Sequence, residues 1–194
     1  MIWWLRAHAI FACAATVLLC FTIAPLLGSS ALPVPSLFGG LSAGIPVPLV
    51  LPVFPACVLL YGLSRGLAEM DATAVRPMTT WSVSMLTAAG AAAALLGIAE
   101  AQLLDFPLGL AVARNTLGYL GVGLIVQRIA GDRHGTIAVA ALPLICAFIG
   151  LGPGGRPYAW TWPLHTADSA LAGVAALLLF VTGLMTATSR PRPS

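Results

Sequence analysis

Glu100 and Arg114 are the charged side chains most plainly placed to do chemistry, because each falls inside a long apolar run. Ionisable groups within a bilayer are costly and mark packing pairs, substrate paths or proton relays. Glu100 sits about one turn from one end of its run, and Arg114 about two turns inside the same end of the next. At a rise of about 1.5 Å per residue their depths differ by only a few ångströms. The short connection between the runs predicts adjacent antiparallel helices that bring the two together as an ion pair, with Gln102 and Asn115 nearby. Such a pair either fixes helix packing or lines a polar path; snorkelling to the surface without pairing is the third reading.

Other polar groups gather at the ends of the runs. His165 and Asp168 have the i, i+3 spacing that allows a hydrogen bond across a first helical turn, where Asp168 also benefits from the positive helix end. Trp160 and Trp162, with Tyr158, suit the water–lipid boundary. The same loop, Gly152 to His165, could instead form a short re-entrant turn that plugs one end of a pathway. A further segment runs from Arg65 to Pro77 and carries Glu69, Asp71 and Arg76, with Leu67, Met70 and Ala74 on one side of a short helix ended by Pro77. That helix either lies on the membrane surface or docks a cytoplasmic partner. His8, His134 and His165 are boundary residues without matching partners, so haem or metal ligation is not expected. The cysteines, Cys13, Cys20, Cys57 and Cys146, all fall in apolar runs without a CxxC pair and read as small hydrophobes. No Walker A, GxSxG or HExxH motif is present, and the chain is not expected to be an enzyme or to bind a cofactor of its own.

The elements that must position these groups are set by composition. The chain has 194 residues, 59% of them hydrophobic and only 8% charged, with a mean hydropathy of +0.98. Soluble domains carry about 25% charged residues, so this chain cannot clothe a soluble globule of its size. Nucleic-acid binding, a secreted disulfide scaffold and soluble enzyme folds are excluded on that ground. Runs of about 20 apolar residues are long enough to cross a bilayer as helices. Six spans are expected, at about 8–28, 44–63, 81–104, 107–130, 136–151 and 166–186, forming one transmembrane domain over 1–194. The first is longer than the roughly 7–15 residues of a signal-peptide core and reads as a helix that stays in the membrane. The second is crowded by Pro46, Pro48, Pro52 and Pro55, and the segment 29–43 is uncharged and proline-broken, suited to an extended or turn-rich path outside.

All nine basic residues are arginine. With both termini in the cytoplasm, the inner segments hold Arg6, Arg65, Arg76, Arg128, Arg133, Arg190 and Arg192, and the outer half keeps Arg114 and Arg156. Seven against two satisfies the positive-inside rule. Gly118, Gly121 and Gly123 in the fourth span, with Gly90 and Gly97 in the third, permit close helix approach.

In architecture the chain resembles the membrane subunits of ABC-2-type transporters. The resemblance rests on six helices behind a short amphipathic lead (Met1–Arg6), a charged first cytoplasmic loop and an extended outer loop before the last helix. The stretch from Ala113 to Gly123, followed by Trp160-Thr-Trp-Pro163, is also similar to small permease-like proteins of high-GC Gram-positive bacteria. The resemblance implies an all-α, six-helix permease in the cell membrane that exports a hydrophobic or amphipathic molecule. It implies a separate cytoplasmic ATPase holding ATP and Mg, and a second permease subunit, identical or related. Leu67, Glu69, Met70, Asp71 and Arg76 would be the docking set. The reading from a different class is an immunity or assembly protein that binds a partner within the bilayer without transporting anything.

Overall fold

The computed structural model describes residues 10–28, 30–36, 40–64, 78–152 and 156–188. Its helices are α1 (Ile10–Leu27), the single turn α2 (Val47–Val50), α3 (Val53–Ser64), α4 (Met78–Leu103), α5 (Leu108–Ala130), α6 (Asp132–Ile149) and α7 (Ala170–Thr188). Among the described residues, five helical segments are long and apolar enough to cross a membrane: Val47–Ser64, Thr80–Leu103, Leu108–Ala130, Asp132–Ile149 and Ala170–Thr188. The helix Phe11–Leu27 is apolar but shorter.

The outside of the bundle is as greasy as its inside. Phe11, Phe54, Leu95, Leu178 and Met185 all leave more than half of their surface uncovered. A belt of large exposed apolar side chains on every peripheral helix needs hydrocarbon, not water, as its solvent. The chain is built to be embedded in a membrane.

α5 is the hub. Buried residues make up 72% of its apolar stretch, against 22% for α4 and for α7. It packs on α4, α6 and α7 and also touches α1 and α3. Absent side chains allow these approaches. A methyl group at Gly97 of α4 would lie 2.6 Å from both the Ala113 Cβ and the Gly109 carbonyl oxygen of α5. One at Gly121 would run into the backbone of α7 at Leu179. Small residues at helix crossings replace the hydrophobic driving force that lipid removes. Gly118 serves a different purpose from helix approach, because its empty side faces the ring of Trp162.

Two departures from an all-helical expectation stand out. The segment outside the first span forms an antiparallel hairpin, β1 (Ala31–Ser36) with β2 (Gly40–Pro46), registered through Leu32 opposite Ile45 and bulged between Val34 and Ser36. The second span is broken: α2 ends at Val50, and α3 starts after Pro52. A proline supplies no N–H and collides with the preceding turn, so the break falls where the sequence places it. β1 packs on α6, which puts the hairpin, the α4–α5 turn and the loop between α6 and α7 at one end of the bundle, here the hairpin end. The α5–α6 corner at Gly131 lies at the other.

Consecutive helices are not always neighbours. α3 packs on α1, α5 and α6, whereas α4 packs on α1, α5 and α7. The stretch 65–77 therefore joins two helices that have α1 and α5 between them.

Candidate functional site

The polar residues of α5 converge on backbone carbonyls. Asn115 is fully buried, and its Nδ2 donates to the carbonyls of Leu49 and Pro163, both at 3.0 Å. The Leu49 carbonyl lies at the break between α2 and α3, and it also receives the Tyr119 hydroxyl at 3.4 Å. Asn115 and Tyr119 are four residues apart, one turn of one helical face, and together they supply donors where the proline break interrupts the helical ladder. Further along α5, Gln127 Nε2 donates to Leu60 of α3 at 3.4 Å and to Asp132 in the α5–α6 corner at 3.3 Å.

Arg114 is 7% exposed. Its Nη1 donates to the Thr166 carbonyl at 2.8 Å, its Nη2 to the His165 carbonyl at 2.9 Å, and its Nε to Asn115 Oδ1 at 3.3 Å. The His165 and Thr166 carbonyls follow the 3₁₀ turn Trp162–Leu164, so two arms of the guanidinium face carbonyl dipoles of that loop. The expected ion pair with Glu100 is not formed. Rotation about the α5 axis works against it. Gly109 and Ala113 are the α5 residues that face α4, and each step along a helix turns about 100°. Arg114, one step beyond Ala113, points toward α7 and its preceding loop. Glu100 lies against Gly109 instead, 6% exposed, with its Oε2 buried and unpartnered. Gln102 is exposed and joins neither group.

The loop between α6 and α7 is folded rather than draped. Gly152 N–H donates to the Arg156 carbonyl at 2.9 Å and Tyr158 N–H to Gly150 at 3.0 Å, closing a small bridge of Leu151 with Pro157. The buried Thr161 hydroxyl lies 2.6 Å from the Tyr158 carbonyl and 3.1 Å from that of Gly150. The two tryptophans of this loop part company. Trp162 turns inward, 6% exposed, over Gly118 and against the Tyr119 ring at a centroid distance of 5.4 Å. Trp160 stays half exposed beside Tyr158. Trp160 and Tyr158 thus remain open to the surroundings of the bundle, while Trp162 is packed into it.

His165 and Asp168 do not bond one another. The His165 Nε2 lies 3.1 Å from the Tyr158 carbonyl, which can only accept, so the proton sits on Nε2. Nδ1 then accepts from the Ser169 hydroxyl at 3.4 Å. Ser169 Oγ in turn receives Ala172 N–H at 3.4 Å and caps α7. α7 begins at Ala170, so Asp168 lies outside its first turn. Asp168 bonds Thr166 instead, and that side-chain hydrogen bond, helped by its own backbone, holds its carboxyl below the usual carboxylate range.

Tyr119, Thr161, Gln127 and Ser169 were not singled out by sequence. The i, i+4 spacing of Asn115 and Tyr119 in an apolar run was the available signal. An open cleft of about 280 Å³ at the hairpin end is lined by Ile45, Pro46, Leu49, Leu151, Pro157 and Leu164. A second of about 440 Å³, at the opposite end, is lined by Tyr61, Ser64, Asp132, Arg133 and Thr136. Among the described residues no group of three or more His, Cys, Asp or Glu side chains is placed to hold a metal ion. The docking residues Leu67, Glu69, Met70, Asp71 and Arg76 lie outside the described residues, as does the Met1–Arg6 lead. No protein-family model, no curated protein and no solved structure matches the chain.

Proposed function

We propose that the chain is a multi-pass permease subunit of the cell membrane that works with a separate cytoplasmic ABC-class ATPase to export a hydrophobic or amphipathic molecule. Six spans with both termini in the cytoplasm complete the topology, α1 being the first, on the arginine bias of the sequence. The observation that carries the reading is the link from α3 to α4. α3 packs on α1, α5 and α6 and α4 on α1, α5 and α7, and the charged stretch 65–77 joins the two in sequence. A force applied to residues 65–77 would reach both helices, on either side of α1 and α5. Leu67, Glu69, Met70, Asp71 and Arg76 are the proposed docking set, ATP and Mg belong to the ATPase, and a second permease subunit completes the pathway.

A second reading has its own observation. Arg114, Asn115 and Gln127 of the central helix all donate to backbone carbonyls of neighbouring segments. That use holds a fixed shape, as an immunity or assembly protein binding a partner in the bilayer requires. Purification of the tagged chain from its host in mild detergent separates the two. A stoichiometric P-loop ATPase, lost when Asp71→Arg or Met70→Asp is introduced, supports the permease. Only non-ATPase partners, under conditions that keep a control transporter intact, refute it.

A further inference from the structure

Glu100 is the group that the packing leaves unexplained. It is 6% exposed, and among the described residues its Oε2 has no hydrogen-bond partner. An apolar residue of similar size would pack the same position without the cost of desolvating a carboxyl.

Its surroundings are specific. On α5 the carboxyl lies against Gly109, where an added Cβ would sit 2.7 Å from both the Glu100 Cβ and its Oε2. The missing side chain of Gly109 is the space the carboxyl occupies. From α1 the facing titratable group is Cys20, a buried thiol close enough to sense charge on Glu100. From α5 the nearest charged residue is Arg114, and its guanidinium is bound to the His165 and Thr166 carbonyls. α7 carries no titratable residue. Asp105, in the α4–α5 turn, is exposed. An ionised Glu100 would thus face a thiol and a glycine, with no donor on its buried Oε2 among the described residues.

We propose that Glu100 is a proton-binding site of the bundle, loaded and emptied at the hairpin end. The position fits exchange with water: Glu100 is three residues from the end of α4, about 4.5 Å of helix. Bound, the proton leaves a neutral carboxyl in the contact between α1, α4 and α5. Lost, it leaves a negative charge where α4 and α5 are closest, at Gly97, Gly109 and Ala113, and that contact must loosen or admit water. The inference does not depend on an ATPase partner.

The test uses the full chain in detergent micelles and dicyclohexylcarbodiimide, an apolar reagent that reacts with protonated carboxyls. The carboxyl proton moves to one carbodiimide nitrogen and its oxygen bonds the central carbon. The resulting O-acylisourea rearranges to a stable N-acylurea that keeps every atom of the reagent. Peptide mass spectrometry is expected to find the adduct on Glu100 at acid pH, declining as pH rises, and absent in Glu100→Gln. Infrared spectra provide a second readout: the wild type is expected to show a protonated-carboxyl C=O band, absent from Glu100→Gln and fading with the same pH midpoint as the labelling. An unlabelled Glu100 at acid pH overturns the proposal. So does labelling that is independent of pH, since a carboxyl that never releases its proton exchanges nothing. A carboxylate band for Glu100 at every pH overturns it equally.

Discussion

Replacing Asn115 with leucine tests whether the polar residues of α5 hold the bundle together. The substitution keeps the approximate volume and removes three hydrogen bonds at once: two from Nδ2, to Leu49 and Pro163, and one accepted from Arg114 Nε. Polar contacts between transmembrane helices average about 0.6 kcal/mol each, which puts the loss near 2 kcal/mol. Two features raise it. Asn115 is completely buried, and a buried group left without a partner costs about 1–3 kcal/mol. One feature lowers it, because Tyr119 still donates to the Leu49 carbonyl; the Pro163 carbonyl and the Arg114 Nε are the groups orphaned. The expected destabilisation is about 2–4 kcal/mol. The chain carries its own reporter, since Cys13, Cys20 and Cys146 are buried thiols that form no disulfide. Unfolding in micelles exposes them to a fluorogenic thiol reagent, and Asn115→Leu is expected to lower the midpoint clearly. Leu178→Ala, on the lipid-facing side of α7 at 61% exposure, is the control expected to change little. An Asn115→Leu chain as stable as the wild type refutes the reasoning.

The two loop tryptophans should behave oppositely. Trp162→Ala empties a buried site over Gly118 and is expected to cost about 3–5 kcal/mol, whereas Trp160→Ala should be nearly silent; equal effects by the same thiol assay would contradict the inward turn of Trp162. Thr166→Val should raise the Asp168 pKa toward the ordinary value by removing the principal hydrogen bond to its carboxylate. Because the folded value is depressed, the interaction contributes stability above the unfolded-state pKa of about 3.9 and loses it as pH falls through the folded value. Carboxyl NMR titration of Asp168 in the two chains reads the change directly, and an unmoved midpoint in Thr166→Val rules the assignment out.

Sequence placed the apolar helices well because bilayer thickness fixes how long an apolar run must be, and α4 and α5 fall within a few residues of the expected 81–104 and 107–130. The same hydropathy anticipated an extended course between the first two helices and trouble at the prolines of the second. It also placed Glu100 near the end of one helix and Arg114 further inside the next, since position along a helix is a count of residues. Rotation about that axis is another matter. The helices are apolar on nearly every side, so no polar stripe announces which face of α5 meets α4. Only packing decided that Gly109 and Ala113 face α4 while Arg114, about 100° further round, serves the loop before α7. Packing likewise separated Trp162 from Trp160, gave Ser169 the helix cap in place of Asp168, and set α3 apart from α4. Each depends on which surfaces meet in three dimensions. In a membrane that choice rests on missing side chains and a few hydrogen bonds, because lipid makes any apolar face acceptable to any other.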